Sequence, residues 1–220
     1  MSGEPPAPTK LTATKQAWAA EGRFLTGRTA RPEAERLPPG QHLVRDWPVL
    51  DLGVQPKLAR EAWSLRAHGA VEEAVTWDWA AFLAQEQRQS VSDIHCVTTW
   101  SRYGNAWEGV PAAALLAAVR PKPEARFVML HSHDGYTTNV PLADFAAAGT
   151  MLAHRWQGAG LAPEHGGPVR LVLPHLYFWK SAKWLQRIEF RADDQPGFWE
   201  ARGYHMRGDP WAEQRYSGDP

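Results

Sequence analysis

The 220 residues, 44% of them apolar, suffice for one sizeable domain core, and the 24 basic side chains balance the 24 acidic ones. A net charge of zero excludes a chain whose partners are gathered by a global field, such as nucleic acid or an anionic membrane surface, so any anion site has to be local. No apolar run approaches the ~20 residues of a membrane span, and the start Met1-Ser2-Gly3-Glu4-Pro5-Pro6 lacks the basic and apolar regions of a secretory signal, so the expected location is the cytoplasm.

Residues 1–41 carry Pro5, Pro6, Pro8, Pro32, Pro38 and Pro39 without a sustained apolar period, which predicts an irregular arm with Trp18 and Phe24 available for docking. A single domain is expected over 42–220. Alternation from Trp63 to His68, closed by Gly69, predicts a strand, and Thr76 is placed to cap a short helix through Phe82 and Leu83. Residues 91–98 are rich in β-formers. Residues 110–119 have proline in their first turn and Pro121 and Pro123 beyond their end, which predicts a helix. A strand over 127–130 leads into the polar turn 131–136, a second short helix covers 141–148, and strands cover 169–173 and 184–190. This order gives a mixed α+β fold in which strands outweigh helices.

Twelve Trp and nine His suit a deep pocket for something flat and polar, although Trp63, Trp77 and Trp79 singly read as core or edge fillers. Three polar clusters stand at strand ends, over 93–102, 131–138 and 165–183, where a scaffold presents groups to a ligand. Cys96, the only cysteine, can be a buried small hydrophobe, a nucleophile or one soft metal ligand. His95 would point to the opposite strand face, and no Cys-x-x-Cys or His-x-x-x-His spacing supports zinc with His131, His133 or His165. In the third cluster Gly166-Gly167-Pro168 permits close backbone approach. Arg170 offers a fork for phosphate, and Lys180 and Lys183 flank the turn. The competing reading is a solvated basic turn.

Four ordered blocks carry a resemblance. They are Asp93-Ile94-His95-Cys96-Val97-Thr98-Thr99-Trp100-Ser101, His131-Ser132-His133-Asp134-Gly135-Tyr136, the run from Pro163 through His165, Arg170, His175 and Tyr177 to Trp184, and Gly197-Phe198-Trp199-Glu200 through Trp211. Over about residues 42–220 the chain resembles the molybdopterin domain of the sulfite oxidase family, nearest to its small haem-free bacterial members. The resemblance implies a single mixed-sheet α+β domain that buries a molybdenum-pyranopterin cofactor, with Cys96 as the one protein thiolate on molybdenum. It places the pterin and its phosphate against His165, Arg170, Lys180, Ser181, Ala182 and Lys183. It puts Arg45, Asp46 and Trp47 on a cofactor-contacting strand, and His95, Ser132, Tyr136 and His175 among further contacts.

Arg102, His131 and Tyr177 are the candidates around the open face, alongside Cys96. The implied activity is two-electron oxygen-atom transfer. Where sulfite oxidases carry paired arginines four and five residues after the cysteine, this chain has Trp100 and Ser101, with Arg102 displaced by one. Reduction of a small S- or N-oxide therefore stands beside oxidation of a sulfur oxyanion. Neither a haem-binding block nor a twin-arginine signal is present, so a separate redox partner is expected to carry electrons. The rival readings are a non-catalytic molybdopterin carrier and a cysteine-dependent hydrolase.

Overall fold

The structure, a computed structural model, describes residues 36–220, and the expected docking of Trp18 and Phe24 lies outside them. Two sheets organise these residues. The larger has the order β1 (His42–Leu43), β5 (Trp100–Pro111), β8 (Met151–Trp156) and β10 (Arg170–Val172), with β4 (Arg88–His95) paired to β5 and β9 (Ala159–Gly160) to β8. The smaller has the order β3 (Val75–Asp78), β2 (Ser64–Gly69), β11 (Leu185–Arg191), β6 (Phe127–Ser132) and β7 (Thr137–Pro141). Its β2–β11 pair is parallel and its other pairs antiparallel. With only short helices beside them, this is the α+β architecture expected.

Between the sheets, Leu65, Leu130 and Ile188 of the smaller pack with Val110, Leu152 and Leu171 of the larger. Each is fully buried and contributes about 1.5–3 kcal/mol relative to exposure. The larger sheet is covered on its other face too, where Ile94, Trp107, Met151 and Val172 join Cys96, Trp47, Trp100 and Phe178. Because side chains alternate along a strand, Leu171 enters the first core while Arg170 and Val172 turn to the face that holds Cys96. The same alternation on β6 sends Leu130 and Ser132 inward and His131 outward.

Several boundaries differ from expectation. Thr76 lies within β3, and the cap of α1 (Trp79–Leu83) is Asp78, whose carboxylate accepts the Ala81 N–H at 2.7 Å. Strand β5 continues through Pro111, so α2 (Ala112–Val119) starts later than the apolar run suggests and ends at Arg120 in the left-handed region, φ +47°. The second short helix is one turn, α3 (Leu142–Phe145), and ends before 148. Strands β5, β7 and β8 were not expected. On β5 the glycines and polar residues hide the strand pattern, yet one of them is required. A Cβ on Gly109 would lie 2.1 Å from the Leu152 carbonyl oxygen, where β8 closes against a bulge.

Candidate functional site

Strand β4 ends at His95, and the chain reverses through Cys96-Val97-Thr98-Thr99 into β5. The Cys96 N–H donates to the Trp100 carbonyl at 2.8 Å and the Thr99 N–H to the Cys96 carbonyl at 3.1 Å, with Thr99 at φ +77°. This turn puts Cys96 in the wall of a cavity of about 290 Å³, its Sγ 3.1 Å from Thr98 Oγ1. Burial pushes the Cys96 thiol pKa up, and contacts with Thr98 and the charge of Arg215 partly offset that. Val97, Thr98, Trp100 and Tyr204 line this end, and Arg215 stands behind them, its guanidinium donating to the Val97 carbonyl at 2.8 Å.

The other end holds Arg170 and Lys183. Arg170 is 2% exposed, and its guanidinium donates to the carbonyls of His165 and Ser181, each at 2.8 Å, and of Leu171 at 3.3 Å. Rings of Trp47 and Phe178 face it at 5.3 and 4.2 Å. Among the described residues no carboxylate pairs with it, and burial lowers its pKa to about 9. Lys183 lies beside it, donating to the Glu164 carbonyl at 2.9 Å, and burial followed by the Arg170 charge lowers its pKa to about 8. His165, lowered to about 4 by burial and Arg170, is neutral and stacks on Trp47.

The close spacing here requires glycine. Gly166 has φ +101°, and a Cβ there would lie 2.8 Å from Lys183 Cβ. Asp51, Asp134 and Glu164 also line this end, and burial raises the Asp134 pKa. Ser132 Oγ is buried in the wall with no hydrogen-bond partner among the described residues.

Of the residues expected at the site, the cavity brings together Cys96, Trp47, Ser132, Tyr136, His165, Arg170, Ser181, Ala182 and Lys183. The others lie elsewhere. Lys180 is fully buried against Glu200, Nζ to Oε1 2.6 Å, so its charge is already paired. His175 contacts Asp144 at 3.1 Å, and His131, on the outward face of β6, contacts Arg187 and Glu189. Arg102 donates to the Arg45 carbonyl and to Asn105 and lies over the Trp156 ring, without lining the cavity. Arg45, Asp46 and Trp47 are not on the strand expected for them, because β1 ends at Leu43 and the chain bends at 45–46. Arg45 and Asp46 are exposed beside buried Trp47, and His95 is buried against Ser101. Tyr177 packs in the same apolar cluster as Cys96, under the Arg215 guanidinium, without lining the cavity. Tyr204 and Trp199 do line it and were not singled out from sequence. They come from a loop with no periodic signal, and only the stacking of the two rings at 5.0 Å shows their shared role.

Residues 52–199 match the family described as the oxidoreductase molybdopterin binding domain. The chain belongs to this family. It is 45% identical over 195 residues, 88% of this chain and 98% of the relative, to the uncharacterized oxidoreductase YuiH of Bacillus subtilis. It is 28% identical over 144 residues to a putative protein-methionine-sulfoxide reductase subunit, YedZ1, of Azospira oryzae. It is 26% identical over 156 residues to the protein-methionine-sulfoxide reductase catalytic subunit MsrP of Campylobacter jejuni. These last two matches span 55% and 52% of the relatives' lengths. The sulfane dehydrogenase SoxCD of Paracoccus pantotrophus matches with a TM-score of 0.58 at 21% identity, over 63% of this chain and 40% of that one, which shows the fold.

A molybdopterin-binding oxidoreductase of this family would need a soft donor for molybdenum and cations for a phosphate. The cavity offers a thiol together with Arg170 and Lys183, the latter among the carboxylates of Asp51, Asp134 and Glu164. The thiol of Cys96 stands at one end and the carboxylate-free Arg170 at the other, with the orphaned Ser132 hydroxyl between sheet and cavity. Among the described residues no group of three or more His, Cys, Asp and Glu could hold a metal ion, and no helix is long and apolar enough to cross a membrane.

Proposed function

We propose that this oxidoreductase transfers an oxygen atom to or from a small sulfur or nitrogen oxide, with Cys96 as the protein ligand to molybdenum. The observation that carries the reading is one cavity faced by a buried thiol and by a buried guanidinium that no carboxylate among the described residues pairs. When bound, the cofactor supplies the two-electron oxygen-atom chemistry, and the protein supplies binding, orientation and electrostatics. Arg170 and Lys183 would hold the phosphate, Ser132 and Ser181 would serve the polar pterin edge, and the Trp47–His165 stack would form a flat wall. Near Cys96 the lining of Val97, Thr98, Trp100 and Tyr204 is mostly apolar, and the one cation beside it, Arg215, donates to the Val97 carbonyl at 2.8 Å without lining the cavity, which suits a neutral oxide better than a doubly charged oxyanion.

The relatives named as methionine-sulfoxide reductase subunits support the S-oxide direction. The reading places a haem-free domain over 42–220 in the cytoplasm, with electrons exchanged through a separate partner. Protein from a molybdenum-replete host should hold stoichiometric molybdenum and reduce small sulfoxides or N-oxides from a reduced viologen, with little sulfite oxidation. Cys96→Ser should abolish turnover and leave the fold intact, since one atom changes at a 6% exposed position. Full activity in that variant would refute the ligand role. Molybdenum without any turnover would leave a carrier.

A further inference from the structure

The cavity wall beside Tyr204 is fastened from behind by an ion pair that does not itself line the cavity. Glu200 and Lys180 have side chains with 0% exposure and form an ion pair at 2.6 Å. Lys180 Nζ also donates to both oxygens of Asn139 at 2.9 Å and to the Met206 carbonyl at 2.6 Å. The same Glu200 Oε1 accepts the Thr138 hydroxyl at 2.7 Å and the Trp179 indole N–H at 2.9 Å. Trp179 lines the cavity, and its ring meets Tyr204 edge-on at 5.1 Å. Glu200 opens the short 3₁₀ turn whose flanking bond, Tyr204 N–H to the Trp199 carbonyl at 3.1 Å, sets Tyr204 over Trp199.

We propose that Glu200, anchored by Lys180, is a positioning residue that fixes Trp179 and Tyr204 as the aromatic wall of the reaction site. An apolar pair of similar volume would fill this space without the cost of burying two charges, so packing alone does not account for it. What an apolar pair cannot supply is an acceptor for the Trp179 indole. Tyr136 completes the grip, its hydroxyl donating to the Trp179 carbonyl at 2.7 Å. The indole is thus held at its backbone and at its ring. The proposal rests on the reading of this cavity as the cofactor site.

Two neutral double variants test it. In Lys180→Met with Glu200→Gln the amide oxygen still accepts from Trp179, and in Lys180→Met with Glu200→Leu nothing does. With equal molybdenum content, the Leu variant should lose kcat by about tenfold to a hundredfold relative to the Gln variant, since a misplacement near 1 Å costs up to about that much. In cofactor-free protein, the Trp179 indole N–H should be protected from solvent exchange in the Gln variant and lose that protection in the Leu variant, as read in nitrogen-15 spectra. Equal kcat and equal protection in the two variants would overturn the proposal, as would molybdenum loss that accounts for the whole fall in rate. If the Leu variant fails to fold, Trp179→Phe removes the same bond with the ion pair intact and should show the same loss of kcat; an unchanged kcat refutes the role. Should wild-type protein hold no molybdenum, the cofactor reading falls. The exchange comparison on cofactor-free protein then still decides whether Glu200 fixes Trp179.

Discussion

Trp47 and His165 stack face to face, with ring centroids 3.8 Å apart and an interplanar angle of 4°. They are far apart in the chain, and the stack closes one side of the cavity next to Arg170. Because burial and the Arg170 charge lower the His165 pKa to about 4, the ring is neutral through the physiological range. Cofactor retention should therefore show no step between pH 5.5 and 7.5 that disappears in His165→Phe. His165→Ala should cost about 0.5–1.5 kcal/mol beyond lost burial, the worth of such a pair, in urea unfolding. A step near pH 6.5 specific to the wild type would contradict the neutral stack.

Arg170 serves three carbonyls and two aromatic faces at once, which a planar fork can do and an ammonium cannot. Arg170→Lys keeps the charge and should still lose about tenfold to a hundredfold in cofactor retention, the equivalent of about 1.5–3 kcal/mol for a charge-assisted contact. Molybdenum content after dialysis reads this directly, and wild-type occupancy in the Lys variant would remove Arg170 from the site.

The reach of the sequence can be judged residue by residue. Alternation on β2 and β11, and the punctuation around α2, are local properties, so those elements are placed within a few residues. Arg170 and Cys96 are legible as cavity residues because both sit in compact blocks. Lys180 shows where such reading stops. It shares a turn with Lys183, but its side chain enters the protein toward Glu200, and a buried counter-ion 20 positions away has no local signal. Tyr204 was missed for a related reason: its place in the wall depends on Trp179 and Trp199, which the loop conformation brings together.

Lys183 gives cofactor binding a pH dependence of definite sign. Burial, then the Arg170 charge, lowers its pKa to about 8 in the cofactor-free cavity. The charged form is the one that holds a phosphate, and a bound anion raises the pKa again. Affinity should be level below about pH 8 and fall as pH rises above it, with proton uptake on binding. Lys183→Arg should flatten that fall, because a guanidinium stays charged. Release of pterin measured from pH 7 to 9.5 checks it, and identical profiles in the two proteins would discard the assignment.

Asp144 ties α3 to the segment that follows Tyr204. Its carboxylate accepts two bonds from Arg207, at 2.9 and 3.0 Å, and contacts His175 at 3.1 Å. Burial works against the ionised form, but the contacts with His175 and Arg207 outweigh it and hold the carboxyl far below the usual range. A folded-state pKa below the unfolded value of about 3.9 means stability that is fully present above that value and lost as pH falls through the folded one. Asp144→Asn should therefore cost about 1.5–3 kcal/mol at pH 7, less as Arg207 finds solvent at its half-exposed position, and clearly less at pH 2.5. Urea unfolding of both proteins at the two pH values gives the comparison. Because Arg207 stands three residues from Tyr204, the same substitution should lower kcat at pH 7 without releasing molybdenum. A stability difference that stays constant from pH 7 to 2.5 would show that the Asp144 charge contributes nothing, and that Asn keeps every contact that matters.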